Sequence, residues 1–132
     1  MNTATTPDGN NMKKLKTSEL TGEALDWMVT SIEEPDALRF GVADWQEQRS
    51  HTVKRGEYLY RWSSSWAQGG PIIHREKIDH SFGYSGPDTC TAWPNHMVHV
   101  PTAQVGPTLL IAAMRAYIAS KMGDEVDVPD GL

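Results

Sequence analysis

Residues 106–126 read GPTLLIAAMRAYIASKMGDEV, and how this stretch is read decides the fold. Pro107 suits the first turn of a helix and Gly123 its end, so the pattern predicts a helix over residues 107–122. Between Thr108 and Met122 the charged residues are Arg115 and Lys121 alone. On a helical wheel Leu109, Ala113, Ala116 and Tyr117 share one side, and Ile111, Met114, Ile118 and Met122 lie across from them. Arg115 falls beside Ile111, Ala112 and Ala119. A helix laid on one sheet needs a single apolar stripe. This one is apolar or small on nearly every side, so it calls for two burials. One is against the sheet, the other against another helix of the chain or a second subunit. A partly buried arginine demands an anionic partner or several acceptors. Arg115 is therefore either paired within the fold or turned to a ligand or an interface.

Working outward, the 132 residues fit one domain, long enough to bury about two-thirds of its unfolded surface. A hydrophobic content of 39% and five tryptophans support a core, and a formal net charge of -5 argues against nucleic acid as a partner. The single cysteine, Cys90, cannot close an intrachain disulfide and fits a reducing cytosol. The polar start MNTATTPDGNNMKKLK has no secretory apolar core, and the longest apolar run, LLIAAM, is too short to span a bilayer. The expected location is the cytoplasm. Residues 1–16 read as a flexible tail, with residues 1–11 disordered and Met12 an alternative start. Residues 17–132 read as a single domain.

In LTGEALDWMVTSIEE, Thr21 is an N-cap candidate, and Leu25, Met28, Val29 and Ile32 follow a helical stripe that Pro35 ends. The helix predicted here covers residues 22–33. A strand is expected around 37–42, a polar loop over EQRSHTVKRGE, and an aromatic-rich strand over 57–62. SSSWAQGG reads as irregular, and PIIHREKI as a short helix opened by Pro71. Short strands are expected at 79–84, 89–93 and 96–100. The sum is an α+β fold, a small antiparallel sheet packed with about three helices.

Chemistry-bearing patterns are sparse. His96 and His99 are spaced for a helix, but Pro94 and Pro101 favour a strand or loop, and no CxxC accompanies them. No metal is expected. Cys90 and the histidines lack a nucleophile signature. WAQGGP lacks the lysine of a phosphate-binding loop, yet its glycines offer backbone N–H groups to an anion, next to the flat ring of Trp66 and the amide of Gln68. The alternating Tyr58, Tyr60 and Trp62 share one strand face, which is more often core than binding surface.

Three segments, KTSELTGEALDWMV, WAQGGPIIHREKI and GPTLLIAAMRAYIASKMGDEVDVP, resemble the NinX-like phage proteins, a family of unknown function. More distantly, three sets of residues are similar to the phage ABA-sandwich proteins, which include anti-Thoeris sponges. These are Gly22, Leu25, Asp26 and Val29; Ser63 to Ala67; and Pro107, Ile111, Ala112, Arg115 and Ala116. The resemblance implies an oligomeric, non-enzymatic phage protein in the host cytosol that holds a cyclic nucleotide or cyclic ADP-ribose-type immune signal without cleaving it. It implies Arg115 at a site shared between subunits. Trp66, Gln68, Gly69, Tyr60 and Thr108 complete the candidate ligand-binding set. No cofactor, nucleic acid or membrane is expected. The alternatives are an accessory protein that docks on a host or defence protein, and a nucleotide hydrolase.

Overall fold

A computed structural model describes the backbone of residues 3–5, and residues 11–57, 59–94 and 103–132 in full. The strand expected at 96–100, and with it His96, His99 and Tyr58, lies outside the described residues.

The helix at the centre of the sequence argument is also at the centre of the molecule. It runs Leu109–Met122 (α4), capped by Thr108, whose hydroxyl accepts the Ile111 N–H at 3.1 Å. Ala112, Ala113, Met114, Ala116 and Ile118 are fully buried. One face lies against an antiparallel sheet of order β3-β4-β5, made of Ile78–Phe82, Cys90–Pro94 and Gln104–Gly106. The small alanines let α4 come close: a Cβ on Gly106 of β5 would stand 2.8 Å from the Ala112 nitrogen. The rest of α4 is covered by α1 (Gly22–Glu33), by α3 (Trp66–Arg75) and by a 3-10 turn at Thr17–Glu19. The second burial is thus supplied by the chain itself. No partner subunit is needed to explain an apolar girth.

A second antiparallel sheet has the order β1-β2-β6, from Thr3–Thr5, Asn11–Lys16 and Glu125–Pro129. Residues 11–16, read from the sequence as tail, pair Met12 with Pro129 through to Lys16 with Glu125. Val126 and Val128 point into the core, which gives the acidic C-terminal stretch an inward apolar edge. Residues 3–5 pair with β2 in turn.

The predicted α1 is present. Thr21 holds the N-cap position, but its side chain makes no capping bond. Four expectations between residues 35 and 75 are corrected. Pro35–Leu38 is a 3-10 turn, and the strand expected around 37–42 and the polar loop after it give way to a helix, α2, at Gly41–Lys54. Its inward face is Val42, Trp45, Arg49 and Thr52, a helical spacing disguised because half of it is polar. The strand expected over 57–62 is broken at Tyr60, whose φ of 54° no strand accommodates. Finally, α3 begins at Trp66 rather than at Pro71, with Gly69, Gly70 and Pro71 inside it. Gly69 earns its place by close packing: a Cβ there would lie 2.5 Å from the Trp62 carbonyl oxygen and 2.6 Å from Leu110 Cδ2.

Candidate functional site

One opening on the described surface follows from the early start of α3. Trp66, in its first turn, is 58% exposed, a large apolar ring left in water. Gly70 and His74 follow at helical spacing on the same face, with Ile73 beside them. With Lys77, Ile78 and Asp79 they line a cleft of about 460 Å³ between α3 and the start of β3. A Cβ on Gly70 would sit 3.8 Å from Trp66 Cε3, so the glycine leaves that part of the ring uncovered. Lys77, at φ 54°, makes the sharp turn from helix to strand. Asp79 accepts the His80 backbone N–H at 2.9 Å, which ties up one carboxylate oxygen. The cleft therefore offers a flat ring face, an ammonium and an imidazole, with the Asp79 carboxylate at its edge. That set suits a planar ligand bearing an anionic group.

The other residues singled out from the sequence do not gather there. Arg115 is engaged inside the fold: Nε donates to the Leu20 carbonyl at 2.7 Å and one terminal nitrogen to the Val105 carbonyl at 2.7 Å. It thereby locks the chain entering α1 to strand β5. Burial holds its guanidinium below the usual arginine range, and it stays charged. Gln68 accepts the Arg61 backbone N–H. The Gly69 N–H is spent on the Ser65 carbonyl at 2.8 Å, so it is not offered to an anion. Tyr60 is half-buried and stacked on Trp62, ring centroids 6.1 Å apart. Burial, and next Glu34, push its phenol up. Thr108 is occupied as the α4 cap.

Of the catalytic candidates, Cys90 is 1% exposed in β4. Burial pushes its thiol up, away from thiolate. His80 packs edge-on to Phe82 at 5.3 Å. Among the described residues no group of three histidine, cysteine or carboxylate side chains is placed to hold a metal. Asp79 lines the Trp66 cleft, while Asp88 lies in the turn between β3 and β4.

A buried ionic network escaped the sequence reading. Asp26 on α1, 2% exposed, accepts the Ser63 N–H at 2.9 Å and the Ser63 hydroxyl at 2.7 Å, and meets an Arg49 nitrogen at 3.4 Å. Desolvation raises the Asp26 carboxyl, although Ser63 and Arg49 pull it down. These contacts tie the segment around Asp26 to the one at Ser63 across the core. The Arg115–Leu20 bond ties α4 to the chain entering α1. The available signal was the helical spacing from Trp45 to Arg49 to Thr52, with a cation on a buried face.

No helix among the described residues is long and apolar enough to cross a membrane. No curated protein matches the chain. A family model described as "Bacteriophage P22, NinX" matches residues 16–121, from the end of β2 to the last turn of α4. The chain belongs to this phage family.

Proposed function

We propose that this protein is a phage-encoded binding protein for a small nucleotide-type ligand, which it holds without cleaving. The observation that carries the reading is Trp66, 58% exposed on a cleft that also holds Lys77 and His74. A base stacked on that ring contributes about 1–3 kcal/mol. Lys77 supplies the counter-charge for a phosphate. Holding a ligand requires no nucleophile and base. In the finer form of the proposal the ligand is a cyclic nucleotide or cyclic ADP-ribose-type signal of a host defence, sequestered in the host cytosol. The likeness of the Gly22–Val29, Ser63–Ala67 and Pro107–Ala116 motifs to the phage ABA-sandwich proteins, a group that includes such sponges, supports that form. Self-association belongs to the same proposal, and light scattering on the purified chain measures it directly.

The test is mass spectrometry of small molecules released by heat after the protein is incubated in lysate from cells with an active nucleotide-signalling defence. An intact cyclic nucleotide, absent from Trp66→Ala at unchanged fold, is the expected result. A hydrolysed product sinks the binding-only reading in favour of a nucleotide hydrolase. No bound molecule, with defence still blocked in cells, moves the function to a protein partner. That second reading has its own support in Phe82 and Tyr84, 67% and 83% exposed around the turn after β3.

A further inference from the structure

A second cleft, of about 330 Å³, is lined by Glu23 of α1, by Gln46, Arg49, Ser50, Val53 and Lys54 of α2, and by Arg61. Residues 46, 49, 50, 53 and 54 fall on one face of α2. Three cationic side chains meet one carboxylate there, on a chain whose net charge is -5. Arg49 is only 6% exposed. Its guanidinium carbon stands 4.5 Å from the Trp45 ring centroid, and it forms an ion pair with Asp26 at 3.4 Å. Asp26 is already shared with two bonds from Ser63. Arg49 Nε and one terminal nitrogen are buried with no hydrogen-bond partner. A buried charged donor left unmade is costly, and natural proteins seldom tolerate one without a reason. Burial lowers the Arg49 pKa, and the nearby Arg61 charge works in the same direction, against Asp26 and Glu23.

We propose that this cleft is a binding site for a small phosphate-type oxyanion, with Arg49 at its base and Lys54 and Arg61 at its rim. With a small shift of the Arg49 guanidinium toward the opening, the oxyanion supplies the acceptor that Arg49 lacks and offsets the repulsion between Arg49 and Arg61. Among the residues lining this cleft none is aromatic, so it selects charge rather than a ring, and it is independent of the Trp66 cleft. Inorganic phosphate is the probe. Calorimetric titration of the full chain, at an ionic strength held constant with chloride, should show saturable binding. The Arg49 Nε–H resonance should shift along the same isotherm. Lys54→Gln and Arg61→Gln should each weaken binding about two- to fivefold. Trp66→Ala should leave it unchanged. Arg49→Gln leaves the buried Asp26 carboxylate without its cation, so the rim variants and the wild-type resonance carry the test. An Arg49 Nε–H that stays still at saturating phosphate, or a shift reproduced by chloride alone, overturns the proposal. So does wild-type affinity in both rim variants. Loss of phosphate binding in Trp66→Ala would relocate the anion to the other cleft and overturn it as well.

Discussion

Replacing Arg115 with methionine keeps an aliphatic stem of similar length and deletes the guanidinium. The two bonds lost are both 2.7 Å contacts from a cation to a main-chain carbonyl. Hydrogen bonds to charged groups contribute about 1.5–3 kcal/mol each. The Leu20 carbonyl belongs to a residue with no exposed surface. It is left without this partner, so the full value applies. The contact to Val105, a residue 38% exposed, is open to water, which recovers most of the second bond. The expected loss is therefore about 2–4 kcal/mol. At roughly 4 °C per kcal/mol for a domain of this size, the thermal midpoint should fall by about 8–16 °C. Urea unfolding followed by far-ultraviolet circular dichroism, alongside calorimetry, measures this. Because the two bonds hold the guanidinium against Leu20 and Val105, away from the Trp66 cleft, ligand uptake by whatever protein stays folded should be unaffected. A variant of wild-type stability that has lost its ligand would refute the reasoning. It would return Arg115 to the ligand-binding role that the sequence suggested.

Three further predictions follow from close contacts. Gly69→Ala forces a Cβ to within 2.5 Å of the Trp62 carbonyl oxygen and 2.6 Å of Leu110 Cδ2. Overpacking of about 1–3 kcal/mol should exceed the helix-propensity gain of about 1 kcal/mol, giving a net loss in denaturant titration. Thr108→Ala removes the α4 cap bond and should cost about 1 kcal/mol in the same assay, while Thr108→Ser should recover most of it. Tyr117 is buried, which together with Glu33 lifts its phenol from 10.0 to about 12 despite the Arg75 contact at 3.2 Å. The folded pKa is raised, so the stability linked to this group is complete below pH 10 and lost as pH climbs from there to about 12. Discounted for solvent screening at the hydroxyl, the amount is about 1–2 kcal/mol. Tyr117→Phe should abolish the latest-ionising phenol in an absorbance titration and flatten the stability curve over that range.

Local chemistry made part of the fold legible. The Pro107 and Gly123 boundaries and the run between them mark α4. The stripe from Leu25 to Ile32 marks α1, and the turn residues around Gly83 and Gly86 separate β3 from β4. Within each segment, hydrophobic period and backbone breakers agree. The α2 helix was hidden because Arg49 and Thr52 occupy inward positions, and period-reading counts them as surface. A peptide cannot reveal that an arginine will be buried, because the cation is accommodated by Asp26, twenty-three residues away, and by the Trp45 ring. The same holds for residues 11–16, whose strand exists only because residues 125–129 return to pair with it.

The candidate sites divide in the same way. Trp66 was visible as a ring beside glycines, but its exposure depends on α3 starting at that residue and leaving Gly70 alongside it. Arg115 stood out by type and position, yet its two acceptors come from residues 20 and 105. The sequence by itself determined an α+β chain of the NinX type, with an apolar final helix and one arginine in its middle. Only the tertiary structure decided that this helix is wrapped by its own chain, that Arg115 closes the core, and that Arg49 is the buried cation with donors to spare. Helical period and turn chemistry act between neighbours in sequence, whereas the satisfaction of a buried charge depends on groups that meet only once the chain has folded.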